Sequence, residues 1–394
     1  MIEPKEALEI VLKEAKVLPV KEVELLDSLG LVLAEDVISD VDIPPFDNSA
    51  MDGFAVVAKD TEGAKKERPT RLMMADTVTA GGTNKVMVVT GTAARIMTGA
   101  TVPLFADSVI QKEDTEVDGE LVCIFREVKP GENIRRAGED IARGERVFES
   151  GTDIGPAEIG LLASLGRSGV KVFRRPTVAI MSTGSELAEL GEPLEPGKIR
   201  NSNTYSLYAQ VLACGAHPVS LGIACDDKET IREVLTKGAD SDVIVTTGGV
   251  SVGDYDLVKD VMADLGAELR FWRVAQKPGK PLAFWNFEGR LIFGLPGNPV
   301  ATMVCFEEYV RPALRKMMGK SRLFRPEVEA TLEEEIKKKT GRLHYVRVRV
   351  EKRDGEYRAS STGPQGSGIL KSMSLANGLA IIPRDVSLVK AGEK

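Results

Sequence analysis

A chain of 394 residues, 43% hydrophobic and 28% charged, is long enough for two or three cores and has the composition of a globular protein. Its net charge of −7, from 59 acidic against 52 basic residues, argues against a broad nucleic-acid surface. No apolar run approaches the ~18–20 residues of a membrane span, and two histidines, His217 and His344, are too few for a histidine-rich zinc site or an H-E-x-x-H protease.

The opening MIEPKEALEIVLKEAK reads as an amphipathic helix with Leu8, Val11, Leu12 and Ala15 on one face. It carries both charge signs and does not resemble a signal peptide. Val23, Leu25, Leu26, Leu29 and Val32 predict a second helical segment. Pro44 and Pro45 break the pattern, and short β-rich pieces follow to about residue 150 (Val86–Val89, Ser108–Gln111, Leu121–Phe125), predicting a mixed β domain. A helical stretch, GPAEIGLLASLG, ends at Gly166.

From Pro176 the pattern becomes a βα alternation. Apolar strands at Val178–Met181, Pro218–Ala224, Val243–Thr246 and Leu291–Phe293 lead into polar loops, with helices at about Thr204–Cys214, Glu229–Lys237, Asp256–Leu265 and Val300–Met318. Such repetition predicts a doubly wound parallel sheet with helices on both faces, whose ligands bind beyond the carboxyl ends of the strands. The last block, with Tyr345–Val350 and Leu379–Ile382, turns β again. The expected domains are 1–42 with 141–174 (helical and linker), 43–140 (mixed β), 175–322 (central βα) and 323–394 (C-terminal β, barrel-like). Residues near 1–26 are expected to pack on the central domain. Four cysteines without a C-x-x-C pair (Cys123, Cys214, Cys225, Cys305) fit reduced thiols in a cytoplasmic chain.

The strand-end loops carry the chemistry. In TTGGVSVGDYD, Gly248 and Gly249 let backbone N–H groups approach a phosphate ahead of a helix N-terminus. The loop lacks the lysine of a P-loop. Gly249-x-Ser251-x-Gly253 imitates a nucleophile elbow, but a serine hydrolase needs a later histidine, and His344 falls in a predicted strand outside the block. A structural glycine turn is the alternative. Asp254 and Asp256 suit oxygen ligation of Mg²⁺ or helix capping. Asp226 and Asp227 stand at a neighbouring strand end, again as ligands or caps. KPGKP presents Lys277 and Lys280 at a proline-stiffened place that suits an oxyanion. LPGNP sets Pro296 and Pro299 around Asn298, and STGSEL brings Thr183, Gly184, Ser185 and Glu186, as a binding loop or a cap before a helix. Outside the block, NSAMDG, RIMTGA and GEDI carry Asp52, Thr98 and Asp140, while IRRAGED reads as a surface ion-pair cluster.

Taken in order, PPFDNSAMDGFAV, RIMTGA, NIRRAGEDI, STGSEL, TTGGVSVGDYD, KPGKP, LPGNPV, GRLHYVRVRV and TGPQGSG resemble the MoeA family of molybdopterin molybdenumtransferases, relatives of the gephyrin E domain, over about residues 40–370. PLFAD departs from the family by placing Phe105 where glycine is common. The resemblance implies an elongated homodimer of four-domain subunits with a MoaB/Mog-like central domain. That domain would hold the pterin phosphate in a cleft closed by the partner's β domain. It implies functional roles for Asp52, Thr98, Asp140, Glu186, Asp226 or Asp227, Asp256, Lys277, Lys280, Pro296, Pro299 and Ser367 or Ser372. The implied activity is insertion of molybdate (or tungstate) into adenylyl-molybdopterin with Mg²⁺-dependent release of AMP. Asp52, Thr98, Asp140, Glu186 and Asp256 are the catalytic candidates, and Glu186, Asp254 and Asp256 the metal candidates. Molybdopterin adenylyltransferase and apo-molybdoenzymes are the implied partners, without nucleic acid or membrane. The rivals are a non-catalytic molybdopterin-binding or scaffold protein, and a pterin adenylyltransferase, which would not need the flanking β domains.

Overall fold

A computed structural model describes residues 1–81, 86–249 and 257–394. The chain forms two compact units. One comprises Met1–Ala34, Gly151–Gly155 and Gly169–Lys394; the other comprises Glu35–Ser150 and Pro156–Ser168.

The first unit is built on a six-stranded sheet. Helix α1 (Pro4–Glu14) opens the chain, and β1 (Thr177–Thr183), α2 (Ser202–Cys214), β2 (His217–Ala224), α3 (Lys228–Lys237) and β3 (Val243–Thr247) follow. Next come α4 (Leu257–Asp264), β4 (Glu268–Trp272), β5 (Ala283–Phe287), β6 (Arg290–Leu295), α5 (Pro299–Cys305) and α6 (Arg311–Met317). Strand order is β2-β1-β3-β6-β5-β4. Sheet faces follow the period-2 alternation of the strands. Val178, Ile180, Val243, Val245 and Phe293 pack with α1, α2, α5 and α6, whereas Ala179, Met181, Ile244 and Ile292 pack with α3 and α4. Covered on both sides, β1 and β3 are buried nearly throughout, with continuous apolar runs (Val178–Met181 and Val243–Val245) that give way to Ser and Thr at their carboxyl ends.

Two expectations are corrected. The sheet is mixed: β2, β1, β3 and β6 are parallel, while β5 runs antiparallel to both β6 and β4. A two-residue turn with φ +52° at Glu288 and +86° at Gly289 joins β5 to β6, the geometry that matches strand twist in a tight hairpin. The predicted second N-terminal helix is instead a strand, Val20–Glu24, followed by a short 3₁₀ turn, Leu25–Ser28. Its partner is Gly169–Phe173, in the register Val20↔Phe173, so a pairing nearly 150 residues away overrides the local pattern.

Helices α5 and α6 run on through a π turn, Phe306–Val310. Beyond them β7 (Leu343–Arg353) pairs antiparallel with β8 (Glu356–Ser361) and β9 (Gly378–Ile382), around Leu332, Val346, Val348 and Ala359. The start of β7 also pairs with Gln276–Lys277, tying the terminal sheet to the KPGKP segment.

The second unit holds another six-stranded sheet, in the order Ser108–Gln111, Gly53–Val56, Thr92–Ile96, Thr70–Val78, Leu121–Ile124, Thr115–Asp118. Its core is divided between the two faces. Gly53 is required there, because a Cβ would fall 1.9 Å from the Ile110 carbonyl oxygen.

Candidate functional site

Parallel β1, β3 and β6 bring their carboxyl ends to one edge, and the loops there interlock. The Gly184 N–H donates to the Ala224 carbonyl (3.3 Å) and the Ser185 N–H to an Asp226 carboxylate oxygen (2.9 Å), joining the turns after β1 and β2. Glu186 folds back over this turn so closely that a Cβ on Gly184 would lie 2.5 Å from its carboxylate. No helix follows STGSEL; Leu187–Ala188 instead pairs with Ile199–Arg200. Asp227 takes the other role foreseen for it. It caps α3, accepting from the Thr230 N–H and hydroxyl at 2.8 and 2.7 Å, and these bonds hold its carboxyl below the ordinary range.

Gly248 (φ +90°) and Gly249 (φ +66°) follow β3 against Thr183. A Cβ on Gly248 would meet the Thr183 carbonyl oxygen at 2.4 Å, so backbone lies where any side chain would stand. Around these glycines two polar atoms are buried without a partner among the described residues, the Thr183 hydroxyl and the Asn203 side-chain carbonyl. Asn203 uses its amide to reach the Thr247 hydroxyl and the Gly297 carbonyl, both at 2.8 Å. Unpaired buried polar atoms are costly, and at a strand-end edge they point to a ligand. Ser251, Asp254 and Asp256 lie outside the described residues. Among the described residues no group of three or more histidine, cysteine, aspartate or glutamate side chains is arranged to hold a metal ion.

Beside these loops opens a cleft of about 610 Å³ lined by Lys277, Lys280, Pro296, Asn298 and Ser367 together with Arg342 and Gln365. Among the described residues no carboxylate lines it. The electrostatics agree: burial and then Lys338, Lys277 and Arg342 push the His344 imidazole down to about 4. Glu186, Asp226 and Asp227 stand on the turns after β1 and β2 and do not line this cleft. Pro299 opens α5, and the Val300 N–H donates to the Ser367 carbonyl at 3.1 Å, fixing the terminal loop against that helix. Buried Arg347 holds the same loop through the Pro364 and Gly366 carbonyls. Ser372 is buried and donates to the Ile369 carbonyl at 2.7 Å.

The lysine loop rests on a buried polar floor. Gln276 accepts from the Tyr309 hydroxyl and donates to the Pro278 carbonyl (3.1 Å) and Cys305 Sγ (3.6 Å). Gly279 (φ +94°) closes over this pair, a Cβ there falling 2.4 Å from Cys305 Sγ. Sequence reasoning missed Arg342, Gln365, Gln276 and Asn203. Arg342 lay inside the GRLHYVRVRV run and Gln365 inside TGPQGSG; Gln276 and Asn203 carried no motif.

Asp52, Thr98 and Asp140 belong to the second unit. The Thr98 N–H and hydroxyl both donate to one Asp52 oxygen at 2.8 Å, and this pair of bonds lowers the Asp52 pKa. Asp140 lines a separate cavity of about 710 Å³ with Pro44, Asn48, Arg135 and Glu139. The expected ion-pair cluster in IRRAGED is rearranged: Arg136 pairs with Asp47 at 2.6 Å, and Glu139 accepts from the Arg136 backbone N–H.

Comparison with known proteins decides the family. The "MoeA N-terminal region (domain I and II)" model matches residues 2–166, "Probable molybdopterin binding domain" 179–316 and "MoeA C-terminal region (domain IV)" 329–394. Molybdopterin molybdenumtransferase 2 of Mycobacterium tuberculosis is 41% identical over 378 residues, 94% of this chain and 92% of the relative. The chain belongs to the MoeA family. Molybdopterin molybdenumtransferase of Bacillus subtilis is 37% identical over 92% of this chain and 85% of its own length. A crystal structure of the molybdopterin biosynthesis MoeA protein of Pyrococcus horikoshii superposes with a TM-score of 0.85 at 34% identity, covering 100% of this chain and 97% of that chain. This MoeA-family chain is therefore an enzyme, a transferase of molybdenum cofactor biosynthesis. Its cationic cleft joins two MoeA regions, since Lys277 and Lys280 fall in the second matched segment and Arg342, Gln365 and Ser367 in the third.

Proposed function

We propose that this chain is a molybdenum insertase. It places molybdate on adenylyl-molybdopterin and hydrolyses the adenylyl group, giving molybdenum cofactor and AMP. The observation that carries the reading is the cleft where Lys277, Lys280 and Arg342 converge with the Ser367 loop and, among the described residues, no carboxylate. Three cations without an internal counter-charge suit a tetrahedral oxyanion, with arginine adding directional N–H donors to the lysine point charges. The glycine turn at Gly248 and Gly249, with the unpaired Thr183 and Asn203 atoms beside it, suits the phosphate of the pterin substrate.

Mg²⁺ fits this donor set. The ion favours one or two carboxylates completed by substrate phosphates and water. Glu186 and Asp226, on adjoining turns, would hold it, with Asp254 and Asp256 the further candidates from sequence. When bound, it neutralises pyrophosphate charge. The chain's own residues do the rest: loop amides and lysines hold the anions in place, and carboxylates orient the attacking water. Within this reading the working form is a cytoplasmic homodimer, and Asp52, Thr98 and Asp140 act in the cleft that the partner closes.

The test supplies purified protein with adenylyl-molybdopterin, Mg²⁺ and molybdate and follows AMP. Turnover is expected, and Lys280→Ala or Arg342→Ala should raise the molybdate requirement about tenfold, the loss of one charge-assisted contact. A scaffold protein would bind the pterin nucleotide and release no AMP, which would end this assignment.

A further inference from the structure

The segment that brings Arg342 to the oxyanion cleft is fastened at successive backbone groups. A short strand, Ile336–Lys337, pairs antiparallel with Leu388–Val389, and the chain then bends through Lys338–Arg342 into β7. The Gly341 N–H donates to the Arg384 carbonyl at 2.8 Å, and the Leu343 N–H to the Ala275 carbonyl at 2.9 Å. Between them the Arg342 carbonyl is held by a side chain. The Lys338 ammonium donates to it at 3.1 Å and reaches the Arg384 carbonyl at 3.4 Å.

A lysine is a costly choice for this task. Fixing its long side chain removes rotamer freedom, and burial pulls its pKa below the ordinary lysine value, with Asp385 acting the other way. Among the described residues Lys338 forms no salt bridge, unlike its neighbour Lys337, which pairs with Glu335 at 2.5 Å. It stands instead among like charges. Of the cations that act on the His344 imidazole, Lys338 has the largest effect, ahead of Lys277 and Arg342. Yet Lys338 does not line the cleft. What its ammonium secures is the carbonyl of the arginine that does.

We propose that Lys338 is a positioning residue for the oxyanion site, and that by holding the Arg342 carbonyl it fixes where the Arg342 guanidinium enters the cleft. The proposal rests on the insertase reading for the identity of the oxyanion. The Arg342 C=O and the Leu343 N–H belong to one planar peptide unit, so Lys338 and Ala275 clamp that unit from its two sides. Ala275 directly precedes Gln276–Lys277, and the same clamp therefore sets Arg342 in register with the lysine loop. A guanidinium recognises an oxyanion through directional N–H donors, so its contribution depends on where its backbone is held. Without Lys338 the peptide is free to pivot about the Leu343–Ala275 bond and carries Arg342 with it.

Molybdate affinity is measured by calorimetry on the full-length protein, and amide hydrogen exchange is followed on the same samples. Lys338→Met should weaken molybdate about tenfold, as loss of the Arg342 contact itself would. Lys338→Arg, whose guanidinium can donate to the same carbonyls, should restore affinity to within about threefold of the unmodified protein. A double-mutant cycle decides between positioning and charge: added to Arg342→Ala, Lys338→Met should weaken molybdate by less than about twofold. A further loss of about tenfold in that background would mean that Lys338 acts on the anion by its own charge, and overturns the positioning role. Exchange of the Leu343 amide should quicken by about fivefold or more in Lys338→Met while amides of β1 and β3 keep their protection, which tells a loosened segment from a loosened fold. Unchanged Leu343 exchange, or unchanged molybdate affinity, in Lys338→Met overturns the proposal and leaves the insertase reading standing. If the unmodified protein binds no molybdate while Leu343 exchange still depends on Lys338, the oxyanion reading falls and the positioning of Arg342 stands.

Discussion

Phe105 sits at φ +69°, in a turn where the Ala106 N–H donates to the Pro103 carbonyl, with 69% of its surface exposed. The left-handed backbone costs a side-chain-bearing residue about 1–2 kcal/mol, and an exposed ring recovers little of that by burial. Family resemblance leads one to expect glycine here. Phe105→Gly should therefore stabilise the protein by about 0.5–1 kcal/mol, once the greater freedom of glycine in the unfolded chain is set against the relieved strain. Urea denaturation measures this directly, and a loss of stability would mean that the ring makes contacts worth more than the backbone strain. At this scale the glycines of the site were legible in the sequence, since φ > 0 and close backbone approach leave few other residues possible. Asn203 was not. Its role comes from reaching Thr247 and Gly297, partners 44 and 94 residues away, which no local pattern encodes.

The lysine loop and the helix beneath it show how one element sets the geometry of another. Tyr309, in the π turn between α5 and α6, donates to Gln276, and Gln276 donates to the Pro278 carbonyl. π turns recur where a helix must redirect a side chain toward a site. Tyr309→Phe would leave the Gln276 carbonyl buried without a donor, a cost of about 1–3 kcal/mol. The expected result is lower stability by that amount, together with weaker molybdate binding as Lys277 and Lys280 lose their fixed support. Wild-type values for both in denaturation and calorimetry would show that the prolines alone hold the loop. The sequence placed a helix over 300–318 but contained no sign of the π turn. Strands β4 and β5 were also missed, because FWRVAQ and LAFW flank a motif and are too short to show alternation. By contrast, the strands buried on both faces announced themselves as continuous apolar runs.

Across the whole molecule, two buried groups bias stability in opposite directions with pH. Burial and neighbouring cations push His344 from 6.5 down to about 4, so between those values the unfolded chain binds more protons and stability rises with pH. Burial pushes Glu308 from 4.5 up to about 7, against the lowering effect of its hydrogen bond to Tyr345. Between those values the folded chain binds more protons, and stability falls as pH rises. Each contribution is on the order of 3 kcal/mol. The two windows overlap and the slopes oppose, so their sum leaves little pH dependence between about pH 4.5 and 6.5. Single substitutions should uncover what the pair conceals. His344→Gln should make unfolding free energy decline from acid to neutral pH, Glu308→Gln should make it increase, and the double variant should return toward the original profile. Denaturant titrations at several pH values compare the four proteins while the remaining ionisable groups cancel. Parallel profiles for all four would mean that neither group is shifted by burial. Because His344 and Tyr345 are consecutive in β7 while Glu308 belongs to the α5–α6 helix, the same measurements report whether the terminal sheet stays docked on that helix as protons are added.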